Sequence, residues 1–233
     1  NVVSDFDLEG KFRDNVAPTP LPVTVHHQCY AWQAAPHDKY VIVQYTMTNT
    51  SGSTQSNMYA GIFADWDIDA STFNDNRAGE DVANKMGYVY HTATNGFYCG
   101  IKLLTQTPFK HYAIDNVNGG NGGVDLFTGG YDAADKYTTL STGRTQAGYT
   151  TGTGNDVCDV VSTGPFNIAP GDSVVVAFAL IAGDDLADLL SKSPVKIYTM
   201  PLIQGQEEDE QEKFFVLGPI SEVKWITHGY TLS

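Results

Sequence analysis

The sequence predicts an all-β protein: an antiparallel β-sandwich, jelly-roll or Ig-like, with one short helix and a strand-forming C-terminal extension. Three observations predict it. Apolar and polar residues alternate with a period of two over several stretches, the pattern of a pleated strand with one buried face. Charged residues make up only 17% of the chain, whereas glycine, threonine, asparagine and tyrosine are plentiful, a balance that suits strands and turns. Only one segment, Asp184 to Lys192, carries apolar residues at helical spacing. A length of 233 residues allows one large β-domain or one domain with an extension, and 42% hydrophobic residues suffice for a core.

In chain order, residues 1–22 hold Pro18, Pro20 and Pro22 and read as an extended lead-in rather than a core strand. The main domain is expected over 23–192. Val23 to Trp32 suggests a strand carrying His26 and His27, whose side chains point to opposite faces and so would not share a metal. Each is read as a surface or internally satisfied histidine. Lys39 to Asn49 alternates with strong β-propensity. A polar loop then leads to a strand from Asn57, expected as its hairpin partner. Asn49-Thr50-Ser51 is a formal glycosylation sequon. Met86 to Ala93 and Phe97 to Leu104 form a second hairpin through Thr94-Asn95-Gly96, because Asn-Gly tolerates positive φ.

Residues 105–155 are rich in Gly, Asn, Thr and Asp and read as a long insert, a surface loop or flexible cover. Its glycine run lacks the pattern of a phosphate loop. Pro170-Gly171 supplies a tight turn before the apolar strand Ser173 to Ile181, and Asp184 or Asp185 can cap the helix that follows. Residues 193–233 read as an extension, with the charged run Gln206 to Lys213 between apolar stretches. Those stretches either complete the domain's own sheets or pair with the exposed edge of another copy.

The candidate site is the stretch from Asn57 to Asp81. Continued alternation would put Asp65, Asp67 and Asp69 on one strand face, roughly 6–7 Å apart, where they repel unless a cation sits near. Asp75, Asn76, Glu80 and Asp81 follow on a segment expected to turn. Hard oxygen donors clustered this way suit calcium, and Asp65, Asp67, Asp69, Asn76 and Asp81 are the expected ligands. The competing reading is an acidic loop solvated by water and counter-ions. The spacing is not that of an EF-hand.

The net charge of −14 leaves no basic stripe for a phosphate backbone, so nucleic acid is not an expected partner. No apolar run is long enough to span a membrane. Cys29, Cys99 and Cys158 lack zinc-site spacing, and either one disulfide plus a thiol or three thiols is compatible with them. The chain begins at Asn1 without methionine and reads as a processed chain or fragment, which fits export.

The segments HQCYAW, YVIVQYTMTNTSG, NMYAGIFADWDID with Asn76, Ala78 and Asp81, then GYVYHT, YCGIKLL and GPFNIAPGDSVVVAFALIAG occur in that order. Together they make residues 23–192 resemble the non-catalytic β-rich region of large secreted and cell-surface proteins of Bacteroidetes-type bacteria. Such regions often sit beside a subtilisin-like protease or ahead of a C-terminal sorting domain. The resemblance implies export, to the exterior or cell surface, and a β-sandwich. It implies no catalysis, and the tail from Ser193 departs from the pattern.

The leading functional expectation is therefore a secreted, non-enzymatic structural protein, stabilised by calcium and associating with copies of itself as a surface or filament subunit. The alternative is a polysaccharide-binding module that stacks Tyr131, Tyr137 and Tyr149 on sugar rings, although the same tyrosines could pack the insert down. A glycoside hydrolase needs two carboxylates roughly 5–10 Å apart, a condition so easily met here that it discriminates little. No GxSxG elbow frames a serine nucleophile.

Overall fold

The computed structural model describes residues 3–17, 20–69, 71–93, 96–105, 108–193 and, as backbone, 214–217. The strands are β1 (Phe6–Phe12), β2 (Val23–Ala31), β3 (Tyr40–Asn49), β4 (Gln55–Asp65), β5 (Asn76–Asp81), β6 (Met86–His91), β7 (Tyr98–Leu103), β8 (Phe109–Asp115), β9 (Val157–Ile168), β10 (Ser173–Gly183) and β11 (Phe214–Leu217). Two α-helices, α1 (Ala133–Ser141) and α2 (Leu186–Lys192), and two short 3-10 turns, Phe73–Asp75 and Gly120–Gly122, complete the described elements. One sheet runs β1-β2-β3-β10-β7-β6-β5 and the other β11-β4-β9-β8, all antiparallel. The chain is an all-β sandwich.

Alternation explains the core. Val25, Val43, Tyr45 and Met47 from the larger sheet meet Met58, Ala60, Ile62, Val161 and Ile168 from the smaller one. Each helix then covers an outer face. Leu140 of α1 packs on Tyr59, Tyr112 and Val160 of the smaller sheet, and Leu189 of α2 on Met86, Ala179 and Ile181 of the larger. Complete burial of a leucine contributes about 1.5–3 kcal/mol, so one such contact goes far toward docking a two-turn helix. The turn between β9 and β10 forms as expected. Gly171 takes φ +79°, which places a residue without a β-carbon where a type II turn needs one, and Asp172 N–H donates to Ala169 O at 3.0 Å.

Several sequence expectations are corrected. The N-terminal lead-in contains a true edge strand, β1, paired residue for residue with β2 from Phe6↔Ala31 to Phe12↔Val25. β3 does not pair with β4. It lies between β2 and β10, while β4 crosses to the other sheet. The 105–155 insert is not a structureless loop: it holds β8 and α1, whose N-cap Asp132 accepts N–H bonds from Ala134 at 2.8 Å and Asp135 at 3.0 Å. Among the described residues there are thus two α-helices rather than one. Asn49 is 1% exposed and its amide donates to Ser53 O and Ile168 O, so the sequon side chain is committed inside. All three cysteines are free thiols. The expected turn at Thr94-Asn95 lies outside the described residues, although Tyr90↔Tyr98 pairing closes the hairpin. Of the C-terminal apolar stretches, only 214–217 falls within them.

The interior is not wholly apolar. His111 of β8 is enclosed between the sheets, with Nε2 3.5 Å from Asp159 Oδ2 and Nδ1 3.5 Å from Glu80 Oε2. At that distance the contacts are too long for good hydrogen bonds and act through charge. Asp159 also accepts the Trp66 indole N–H at 3.0 Å. Burial opposes a charge on His111, but the two carboxylates outweigh it and raise its pKa. The trio ties β8 and β9 of one sheet to β5 of the other. A β-carbon on Gly87 would run into the His111 ring, which accounts for glycine there.

Candidate functional site

β4 ends at Asp65, and this changes the geometry expected of the acidic stretch. Asp67 and Asp69 take left-handed backbone, φ +39° and +60°, so the chain turns instead of continuing its alternation. The turn folds Asp67 back toward Asp65. The ladder between β4 and β9 pairs Asp65 with Cys158, which brings Asp156, two residues earlier, to the same place. One carboxylate oxygen each from Asp65, Asp67 and Asp156 lies within 4.8 Å of the others.

Asp156 shows the strain of that gathering. Burial first, then the charges of Asp65 and Asp67, lift its pKa to about 6, against a hydrogen bond from the Asn116 amide at 2.9 Å. The thiol of Cys158 is likewise pushed up, by burial and then by Asp65. Three carboxylates converging on one point relieve their repulsion by taking up a proton or a cation.

The other expected ligands are placed differently. Asp69 accepts hydrogen bonds from Ser71 N at 3.1 Å and Ser71 Oγ at 2.6 Å and so serves its own turn. Asp81 lies at the far end of β5 and binds Asn84 N at 3.0 Å and Asn84 Nδ2 at 2.9 Å. Five residues of strand separate it from Asn76, roughly 17 Å. Asn76 is close by backbone: it forms a bridge to Asn155, the residue before Asp156. It is 1% exposed, and its Oδ1 has no hydrogen-bond partner among the described residues. Of the five expected ligands, then, the structure joins Asp65 and Asp67 and adds Asp156. Only the pairing of β4 with β9 could have revealed that addition. Asp75 and Glu80 are not in the cluster, and Glu80 serves His111.

The three tyrosines divide. The Tyr131 ring packs on Phe63 with centroids 5.1 Å apart, and its hydroxyl pairs with Thr139 Oγ1 at 2.5 Å. Tyr137 sets its edge to Tyr59 at 5.7 Å. Both hold the insert against β4. Tyr149 remains at the surface, with the Arg77 guanidinium 4.8 Å over its ring and its hydroxyl 3.2 Å from that of Tyr90.

A cavity of about 320 Å³ adjoins this site, lined by Tyr45 and Leu180 from the larger sheet and by the 62–66 segment from the smaller. It opens beside β4, the strand on which β11 lies with register Phe214↔Ile62 to Leu217↔Tyr59. Among the described residues no helix is long and apolar enough to cross a membrane. Compared with known proteins, the chain matches no family model and no curated sequence, so geometry alone carries the reading.

Proposed function

We propose that the protein is a secreted or cell-surface, non-enzymatic structural subunit that associates with copies of itself by strand donation and is stabilised by calcium. The observation that carries this reading is the pairing of β11 on β4. Strands β1 to β10 and the two helices are contiguous in sequence up to residue 193, whereas β11 comes from beyond residues 194–213. β4 offers its edge, and an unpaired edge is a template for a strand from the same chain or another. We propose that in the assembled form the donor is a neighbouring copy. The charged run Gln206 to Lys213 then lies between donor and parent domain.

Calcium fits the second half of the reading. Asp65, Asp67 and Asp156 supply hard oxygens, Asn76 supplies a buried amide oxygen one bridge away, and water would complete the six to eight ligands that calcium takes. A cation there would fasten the end of β4 to the start of β9. The test is thermal unfolding of the full chain in calcium and in chelator, for the wild type and for Asp67→Asn. The wild type is expected to melt higher in calcium and the variant to lose most of that increment. Equal melting of the wild type in both conditions would overturn the calcium assignment.

A further inference from the structure

The outer face of the larger sheet carries an aromatic groove that neither assembly nor metal binding uses. Tyr90 and Tyr98 are directly opposite on β6 and β7, their rings parallel at 7° with centroids 4.8 Å apart. Across the β6–β7 connection Phe97 stands 60% exposed, an unusual cost for so large an apolar ring. Asp184 and Asp185, at the entry to α2, form the other side. The hollow they enclose with His91 measures about 560 Å³, within the range of small-ligand sites.

The lining chemistry narrows the ligand. Among the described residues no lysine or arginine lines the groove, so these offer no cation to a phosphate or a carboxylate. His91 is already committed, with Nε2 2.9 Å from Thr72 Oγ1 and Nδ1 accepting from Ala93 N at 3.1 Å. Asp184 accepts no hydrogen bond among the described residues, whereas Asp185 accepts the Asp188 N–H at 2.8 Å. An organic cation would want aromatic faces on several sides, but the facing sides of Tyr90 and Tyr98 are taken up by each other. The exposed Phe97 ring and the Asp184 carboxylate line the same hollow. A pyranose presents the complement: an apolar C–H face to lie on the ring and hydroxyl groups to donate to the carboxylate.

We infer that this groove, floored by Tyr90 and Tyr98 and bounded by Phe97 and Asp184, binds a neutral polysaccharide. It is distinct from Tyr131 and Tyr137, whose rings hold the insert in place. Because the groove lies on the sheet that does not carry β4 and β11, sugar binding and strand donation are separable.

The test is affinity electrophoresis of the full chain through gels containing mixed-linkage β-glucan, xylan or galactomannan, with alginate and a trimethylammonium-bearing peptide as competitors. Phe97→Ala and Asp184→Asn remove exposed groups, so both variants are expected to keep the wild-type melting temperature. Retardation by at least one neutral polysaccharide, weakened about tenfold or more in Phe97→Ala, is the expected result. Failure of all three neutral polymers to retard the protein would overturn the inference. So would retardation that persists undiminished in both variants, or binding to alginate or the trimethylammonium peptide alone.

Discussion

Replacing Asp159 by Asn takes one charge out of the buried trio of His111, Glu80 and Asp159. Asp159 and the His111 side chain are wholly enclosed, and Glu80 is the remaining carboxylate within 3.5 Å. Asparagine keeps the volume and can still accept the Trp66 N–H, so the substitution removes charge with little change in packing. Breaking a buried pair from one side costs about 3–5 kcal/mol, a fall in Tm of roughly 6–20 °C for a domain of this size. The pH dependence gives the sharper signature. His111 has a folded pKa above its unfolded value of 6.5, so the native state binds more protons between the two. Its stabilisation is complete below pH 6.5 and is lost as pH rises through the folded value. Between pH 6.5 and 8 the wild type should lose stability, the direction that a raised histidine pKa imposes. Lys136, which burial lowers to about 8, acts in the opposite direction only above that window. Urea unfolding at intervals across the window is the assay. A wild type with flat or rising stability there, or an Asp159→Asn protein that melts with the wild type, would rule out a stabilising charge on His111.

Further outcomes follow from the same contacts. His27 stacks on Tyr45 at 4.9 Å, and burial, then the neighbouring His26, lowers its pKa to about 4. A histidine buried neutral lends stability above pH 6.5 that disappears as pH falls toward 4. The loss is about 3 kcal/mol, and acid titration of His27→Gln should show the slope removed. Asp132→Ala deletes the cap of α1 and should cost about 1 kcal/mol, read by urea unfolding. Calcium affinity should fall on acidification through about pH 6, because Asp156 must give up its proton to coordinate. Calorimetry at pH 5.5 and 7.5 checks this, and equal affinities would count against Asp156 as a ligand.

Much of the sandwich was legible because alternation and turn chemistry are local. Lys39 to Asn49, the 86–104 hairpin, the Pro170-Gly171 turn and the Asp185-capped helix emerge nearly as read. What failed was long-range. β1 hides behind a proline-containing lead-in, since nothing local says that Val25 will face Phe12. β8 and α1 lie in a glycine-rich region whose average composition masks a clear strand, FKHYAID, and a capped helix. The site was half legible for the same reason. Asp65 and Asp67 are neighbours in sequence, but a left-handed residue after β4, not continued alternation, turns them toward each other. Asp156 joins them only through the pairing of β4 with β9, roughly ninety residues apart in sequence.

If β11 is donated to the β4 edge of another copy, sedimentation velocity of the wild type beside Val216→Pro will show it. Proline fixes φ near −65° and carries no N–H, so it weakens a strand at the position paired with Ala60. Concentration-dependent oligomers are expected for the wild type in calcium, and a folded monomer for the variant. A wild type that stays monomeric at every concentration, or a variant that assembles as the wild type does, would contradict strand donation.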